Sequence, residues 1–238
     1  MKKRKGAITA EEFLRKLEHD KDYQERKKKR EAEFEIIKKN RDQAQAPLVA
    51  DIRKLGFDIS SVYDFVNSAN SYPTAIPILV YYLQNDLISE PVIEEGIIRA
   101  LTVKEAKGIA NDVLLATYHK IPRDGIFMNE NLRWLIGNAI NIIITEKDLE
   151  KVIEIVEDTA NGTSRQMFVR SLRKFKTERV EDVLISLLDD KEMMPEAVNA
   201  LGKIKSKKSL SKIESLISDS DQKIRKKIEK ALKNIVRL

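Results

Sequence analysis

The 238-residue sequence predicts an all-α fold, a right-handed α-α superhelix in which short helix pairs stack side by side. Three observations predict it. First, an apolar residue, two variable positions, a small residue and then Leu or Ile occur as Ile97-x-x-Ala100-Leu101 and Ile136-x-x-Ala139-Ile140. The same pattern returns as Phe168-x-x-Ser171-Leu172, Ala197-x-x-Ala200-Leu201 and Ile228-x-x-Ala231-Leu232, with gaps of 39, 32, 29 and 31 between the small residues. Periods of this length mark stacked helical units, each too small to bury its own apolar face. Second, six prolines, eight glycines and 34% charged residues favour a chain that is helical nearly throughout. Third, the apolar runs are too short to span a membrane. The chain also has no cysteine, which excludes disulfides, zinc–thiolate sites and cysteine catalysis.

Residues 1–57 read as a basic helical arm. Met1-Lys2-Lys3-Arg4-Lys5 is followed by a charged helix instead of an apolar stretch, so no secretory signal is expected and a cytoplasmic protein is the default. Thr9-Ala10-Glu11-Glu12 has capping-box spacing for a short helix through Leu17. Asp20 can cap a longer one running towards Leu55, with Gly56 just past its end. Pro47 is expected to kink or divide that helix. Between Lys21 and Glu33 the only sizeable apolar side chain is Tyr23, so this part is read as solvated. Phe34, Ile37, Leu48, Ile52 and Leu55 return at helical spacing, so 34–55 is expected to dock on the array.

Residues 58–238 read as five helix pairs. The motif lies on the second helix of each pair. The first helices end at Leu83-Gln84-Asn85-Asp86, Val156-Glu157-Asp158, Leu188-Asp189-Asp190 and Ile217-Ser218-Asp219. Thr102-Val103-Lys104-Glu105 and Thr145-Glu146-Lys147-Asp148 have the spacing of helix starts. The longer first gap places an insertion at 120–128. Ile126, Phe127 and Met128 there are costly to expose, so a plug over the adjacent pair is expected, with a partner-contacting loop as the alternative.

Six positions before the small residue stand Arg133, Arg165 and Arg225, with Glu94 and Met194 at the other two places. An apolar-Arg-x-x-x-x-x-Ala-Leu pattern after an acidic turn resembles HEAT repeats, in the short form also found in phycobilisome lyases. The resemblance covers about 60–238 and the docked part of the arm. From Thr9-Ala10-Glu11-Glu12-Phe13 through Ala46-Pro47-Leu48-Val49, the chain also looks like a group of bacterial HEAT-repeat proteins that brings no known activity. The resemblance implies that Arg133, Arg165 and Arg225 form a structural ladder to acidic turns of neighbouring repeats, interrupted at Glu94 and Met194.

The net charge of +6 divides into +5 over 1–45, −7 over 46–202 and +8 over 203–238. A continuous basic groove for nucleic acid would be positive throughout. Arg26, Lys27, Lys28, Lys29 and Arg30 form the strongest cluster, either a solvated helix face with neighbouring glutamates or an anion-binding site. The terminal helix has Lys223, Arg225, Lys226, Lys227, Lys230, Lys233 and Arg237, read as a polar capping face or as an anion-binding patch.

No P-loop, GxGxxG, GxSxG or HExxH is present, and His19 and His119 are read as structural. Asp189-Asp190 with Glu192, and Asp219 with Asp221, fit helix capping, and no metal or other cofactor is expected. Trp134 is read as core or concave wall. The architecture is shared with bacterial alkylpurine DNA glycosylases, the one route to an enzyme, but the acidic middle would repel a duplex. A lyase reading would need a tetrapyrrole substrate, for which no residue argues.

Just before each small residue stand Arg99, Asn138, Arg170, Asn199 and Lys230, polar in all five repeats. In HEAT arrays this helix lines the concave face, so the expectation is a donor ladder for a partner. The reading is a non-enzymatic scaffold or adaptor for a protein partner, with nucleic-acid binding through the basic termini as the alternative. The sequence does not indicate an oligomeric state.

Overall fold

The computed structural model describes residues 8–66, 68–218 and 221–236; the charged start at 1–5, Asp219 and Arg237 lie outside them. Among the described residues every regular element is a helix or a 3-10 turn.

Helix α1 (Ala10–His19) opens on the capping box, with Glu12 N–H donating to Thr9 Oγ1 (3.1 Å) and Thr9 N–H to Glu12 Oε2 (2.9 Å). Asp20 ends it and accepts from Tyr23 N–H (3.0 Å) to start α2 (Lys21–Arg53). The 33 residues of α2 run through Pro47 undivided. Leu48, Val49 and Ile52 are buried just beyond the proline, and that packing offsets the lost backbone bond.

Docking of α2 begins later than the sequence pattern suggests. Phe34, Ile36 and Ile37 are exposed, and the first buried residue is Gln45. Helix α2 has simply not yet reached the array at residue 37; an apolar period reports a stripe, not what lies opposite it. From residue 45 the contacts are specific. Gln45 Oε1 accepts from Ser61 Oγ and Val62 N–H (both 3.1 Å), just before α3 (Tyr63–Val66), and Arg53 Nε donates to the Ile59 carbonyl (2.7 Å).

Five pairs follow: α4 (Ile76–Gln84) with α5 (Pro91–Ala100), α6 (Asn111–Lys120) with α7 (Phe127–Ile143), α8 (Leu149–Glu157) with α9 (Gln166–Leu172), α10 (Glu178–Ser186) with α11 (Met194–Ile204), and α12 (Leu210–Ser215) with α13 (Gln222–Val236). First helices pack on first helices (α2 on α4, α4 on α6, α8 on α10) and second on second (α3, α5, α7, α9, α11 and α13 in series). The end of α2 and the single turn of α3 thus form a truncated pair at the head of the stack.

The repeat motif fills the space between the layers. Ile97, Ala100, Leu101, Ile136, Ala139, Ile140, Phe168, Ser171 and Leu172 are buried, as are their counterparts up to Ala231. Each large apolar member contributes roughly 1.5–3 kcal/mol. Three glycines bring second helices together: a Cβ on Gly96 would lie 2.9 Å from the Tyr63 ring, one on Gly202 would lie 2.7 Å from Ala231 Cα, and one on Gly137 would lie 3.0 Å from the Phe168 ring.

The first helices are joined differently. Lys120 pairs with Asp86 (2.9 Å), Lys151 with Asp112 (2.8 Å), Arg179 with Glu157 (2.9 Å) and Lys212 with Asp189 (2.7 Å), each base reaching back to the preceding pair.

Of the two helix-start boxes, Thr145 and Asp148 form one: Asp148 Oδ2 accepts from Thr145 N–H (2.7 Å) and Oγ1 (2.8 Å), and also from the Asn111 side-chain amide of the preceding pair. Thr102 does not cap. Its hydroxyl turns back to the Ile98 carbonyl (2.9 Å), and Glu105 is taken by Ser71 Oγ.

The insertion is not a plug. Asp124 accepts from Ile126 N–H (2.9 Å) and the Asn129 amide (2.8 Å), and these two donors hold its carboxyl below the usual range. This turn starts α7 early, so Phe127 and Met128 are helical. Ile126 and Phe127 are exposed and only Met128 is half-buried.

Candidate functional site

The site is the face of the second helices, and it rests on the arginines behind it. Arg165 is buried; its Nη1 donates to the Val156 carbonyl (3.1 Å) at the end of its own pair's first helix and its Nη2 to Asp190 Oδ2 (2.7 Å) in the turn of the next. Burial works against the Asp190 charge, but Arg165 and the Glu192 and Met193 amides outweigh it and hold the carboxyl below its ordinary range.

Arg133 is 1% exposed and takes no carboxylate in its hydrogen bonds. It donates to the Tyr118 and Ile121 carbonyls (both 3.3 Å), to Tyr118 Oη (2.8 Å) and to Asn161 Oδ1, and its guanidinium lies 4.1 Å over the Tyr118 ring. Asp158, the acid of that turn, pairs instead with Arg123 (2.8 Å). Arg225 is exposed on α13. Glu94 stands where an arginine would be; burial raises its carboxyl, Asp86 adds to this and Lys120 opposes it. Met194 packs against the core as a partly buried apolar residue.

On the open side of the second helices, the five polar positions differ among themselves. Arg99 Nε is engaged by Glu95 (2.7 Å) one turn earlier. Arg170 pairs with Glu196 of α11 (2.9 Å), which also meets Lys227 of α13 (3.6 Å), so one carboxylate ties three second helices. Asn138 and Asn199 are half-buried and Lys230 is exposed. The face is therefore partly self-neutralised and not a uniform row of donors.

The sequence reading passed over an apolar line on α7. Phe127 is 82% exposed, Trp134 is 39% exposed, and Ile142 is exposed eight residues after Trp134, with Asn138 between them. Residues four apart share a helix face, so Trp134, Asn138 and Ile142 form one stripe, and Phe127, two turns before Trp134, extends it. The period was legible; that no neighbouring helix covers it was not. The stripe ends where Lys174 Nζ donates to the Asn141 (2.6 Å) and Ile142 (2.9 Å) carbonyls, capping α7 from the next pair; burial, with Lys107 and Arg173 nearby, lowers the Lys174 pKa.

The remaining candidate positions are placed as follows. Asp190 Oδ1 accepts from the Glu192 and Met193 amides, and Asp221 Oδ1 from those of Lys223 and Ile224, which starts α13. His19 Nδ1 meets the Arg15 carbonyl (2.8 Å), and His119 is exposed beside Tyr118. Among the described residues no three His, Asp or Glu side chains gather as metal ligands, and no helix is long and apolar enough to cross a membrane. Arg26, Lys27, Lys28, Lys29 and Arg30 are exposed on α2, and Lys226 is exposed on α13 beside half-buried Lys227.

Helix pairs in two layers, with buried arginines bridging consecutive turns, define the class: an all-α solenoid of stacked repeats. Residues 129–233, from α7 through most of α13, match the family described as HEAT repeats. HEAT repeats are generally scaffolds for protein interactions. No curated protein and no solved structure matches the chain.

Proposed function

We propose that the chain is a non-enzymatic scaffold or adaptor that binds a partner protein across its second-helix face, centred on α7. The observation that carries this is the uncovered line of Phe127, Trp134 and Ile142 beside the polar Asn138. Aromatic residues left in water next to polar groups are the composition of interaction hot spots. Asn138, Asn199 and Lys230 supply the surrounding polar contacts, while Arg99 and Arg170 hold the shape of the face through Glu95 and Glu196.

Phe127→Ala with Trp134→Ala tests the reading. Affinity purification from the source cells is expected to lose specific proteins with this variant, while circular dichroism stays unchanged. The same proteins retained at the same yield would refute it. Arg170→Glu is a poor probe, because it sets two carboxylates against each other at Glu196.

A second reading has its own observation: Lys223, Lys226, Lys230 and Lys233 are all exposed on α13. A phosphate-binding function predicts a steep loss of affinity for duplex or single-stranded nucleic acid between low and moderate salt. Equal, weak retention at both salts would dismiss it.

A further inference from the structure

The arm is the part of the molecule that the array does not explain. Residues 25–40 of α2 are all exposed, and 21–40 extend about 30 Å at 1.5 Å per residue. At its far end α1 is capped and amphipathic yet buries nothing, leaving Phe13 and Leu14 in water, while Phe34, Ile36 and Ile37 are exposed along α2. A ten-residue helix is marginal by itself. Tyr23, Gln24 and Leu17 cover one another only partly at the bend, where Gln24 Nε2 donates to the Leu17 carbonyl (2.8 Å).

Charge along this rod is sorted into adjoining blocks. Residues 26–30 are five consecutive bases, and Glu31, Glu33 and Glu35 follow within the next five positions. Among the described residues the one ion pair inside 21–40 is Lys27–Glu31, a loose contact at 3.8 Å between two exposed side chains. A block of bases followed by a block of acids on one rod is self-complementary when a second rod runs the other way. A two-fold axis between Arg30 and Glu31 lays 26–30 of each copy along 31–35 of the other; Arg26 and Glu33, seven residues apart, share one flank of α2, and Lys28 and Glu35 share the other, so on each flank a base of one copy meets an acid of its partner. The same register places Ile37 beside Tyr23, which is only half-covered at the bend, and lays Phe34 along the aliphatic stem of Lys27. A parallel pairing would set like blocks together.

We propose that the arm is a self-association surface, and that its occupant is the arm of a second copy of this chain, antiparallel, with the axis near residues 30 and 31. The contact is isologous, electrostatic in its register and apolar at its two ends. It does not involve α7, so it stands or falls independently of the partner-binding face.

The test is sedimentation of the full chain over a range of concentrations, at about 0.05 and about 0.3 M salt. A dimer that weakens several-fold at the higher salt is expected. Reversing the acids (Glu31→Lys, Glu33→Lys, Glu35→Lys) should give a monomer, as should reversing the bases (Arg26→Glu, Lys28→Glu, Arg30→Glu), and mixing the two variants should restore a heterodimer. Because the native chain lacks cysteine, Lys27→Cys and Phe34→Cys, on one face of α2, report direction: the two mixed should form a disulfide that neither forms alone. A chain that stays monomeric at all concentrations, an acid-reversed variant that still dimerises, or a 27–27 disulfide would overturn the proposal. An acid-reversed arm that binds DNA or anionic vesicles more tightly, with the native chain monomeric, would assign the basic block to phosphates instead.

Discussion

Arg133 and Arg165 occupy equivalent places and satisfy their guanidinium groups by different means. Arg165 has a carboxylate; Arg133 has carbonyls, an amide oxygen, a phenol and an aromatic face. Arg133→Ala leaves two carbonyls and Asn161 without their donor in a dry site, and a loss of about 3–5 kcal/mol in chemical unfolding is expected. Asp190→Asn should cost less, about 1–2 kcal/mol, since the amide oxygen still accepts one bond. Its pH dependence has a defined sign. The Asp190 carboxyl is lowered in the folded chain, so its contribution is complete above the unfolded value near about 4 and disappears as pH falls through the lower folded value. The stability gap between wild type and Asp190→Asn should therefore be constant at neutral pH and close in acid. The arginine positions themselves were readable, because they recur at fixed distance from the small residue. That Asn161 would stand in for an acid was not, since nothing in a linear pattern distinguishes one turn residue from its neighbour.

At the scale of helices, Gly202 shows how the layers are spaced. A methyl group there meets the Ala231 backbone at 2.7 Å, which no side-chain rotation relieves. Gly202→Ala should push α13 outward at a cost of about 1–3 kcal/mol, with hydrogen exchange accelerating across α13 before α7. The five helix pairs were legible from the small-residue motif because those positions are where helices touch. Less legible were α2 and the insertion. Pro47 reads as a break, yet burial on its C-terminal side holds the helix continuous. Ile126 and Phe127 read as part of a plug over the adjacent pair, yet the Asp124 turn commits them to the open start of α7. In each case a local rule lost to packing that only the fold reveals. The second-helix face has the same status: its polar positions recur, but the pairing of Arg170 with Glu196 joins residues 26 apart, and no periodicity announces it.

For the whole molecule, stability resides in neighbour contacts and not in one centre. Among the described residues the arm before Gln45 contributes no buried side chain, so deleting residues 1–40 should leave the thermal midpoint of the array within a degree or two of the full chain. By contrast, Ile52→Ala, fully buried where α2 docks, should lower stability by about 2–4 kcal/mol and release α2 from the head of the stack.

The two layers are fastened by unlike means, and this has a mechanical consequence. On one side glycines let backbones touch, a contact that neither stretches nor responds to solutes. On the other, lysines and arginines on flexible stems hold acids of the preceding pair across exposed gaps, and dissolved ions weaken that hold. The molecule is thus built like a leaf spring with a stiff second-helix leaf and a softer first-helix one. Raised ionic strength is expected to loosen the first-helix layer, and small-angle scattering should register it as a change in radius of gyration.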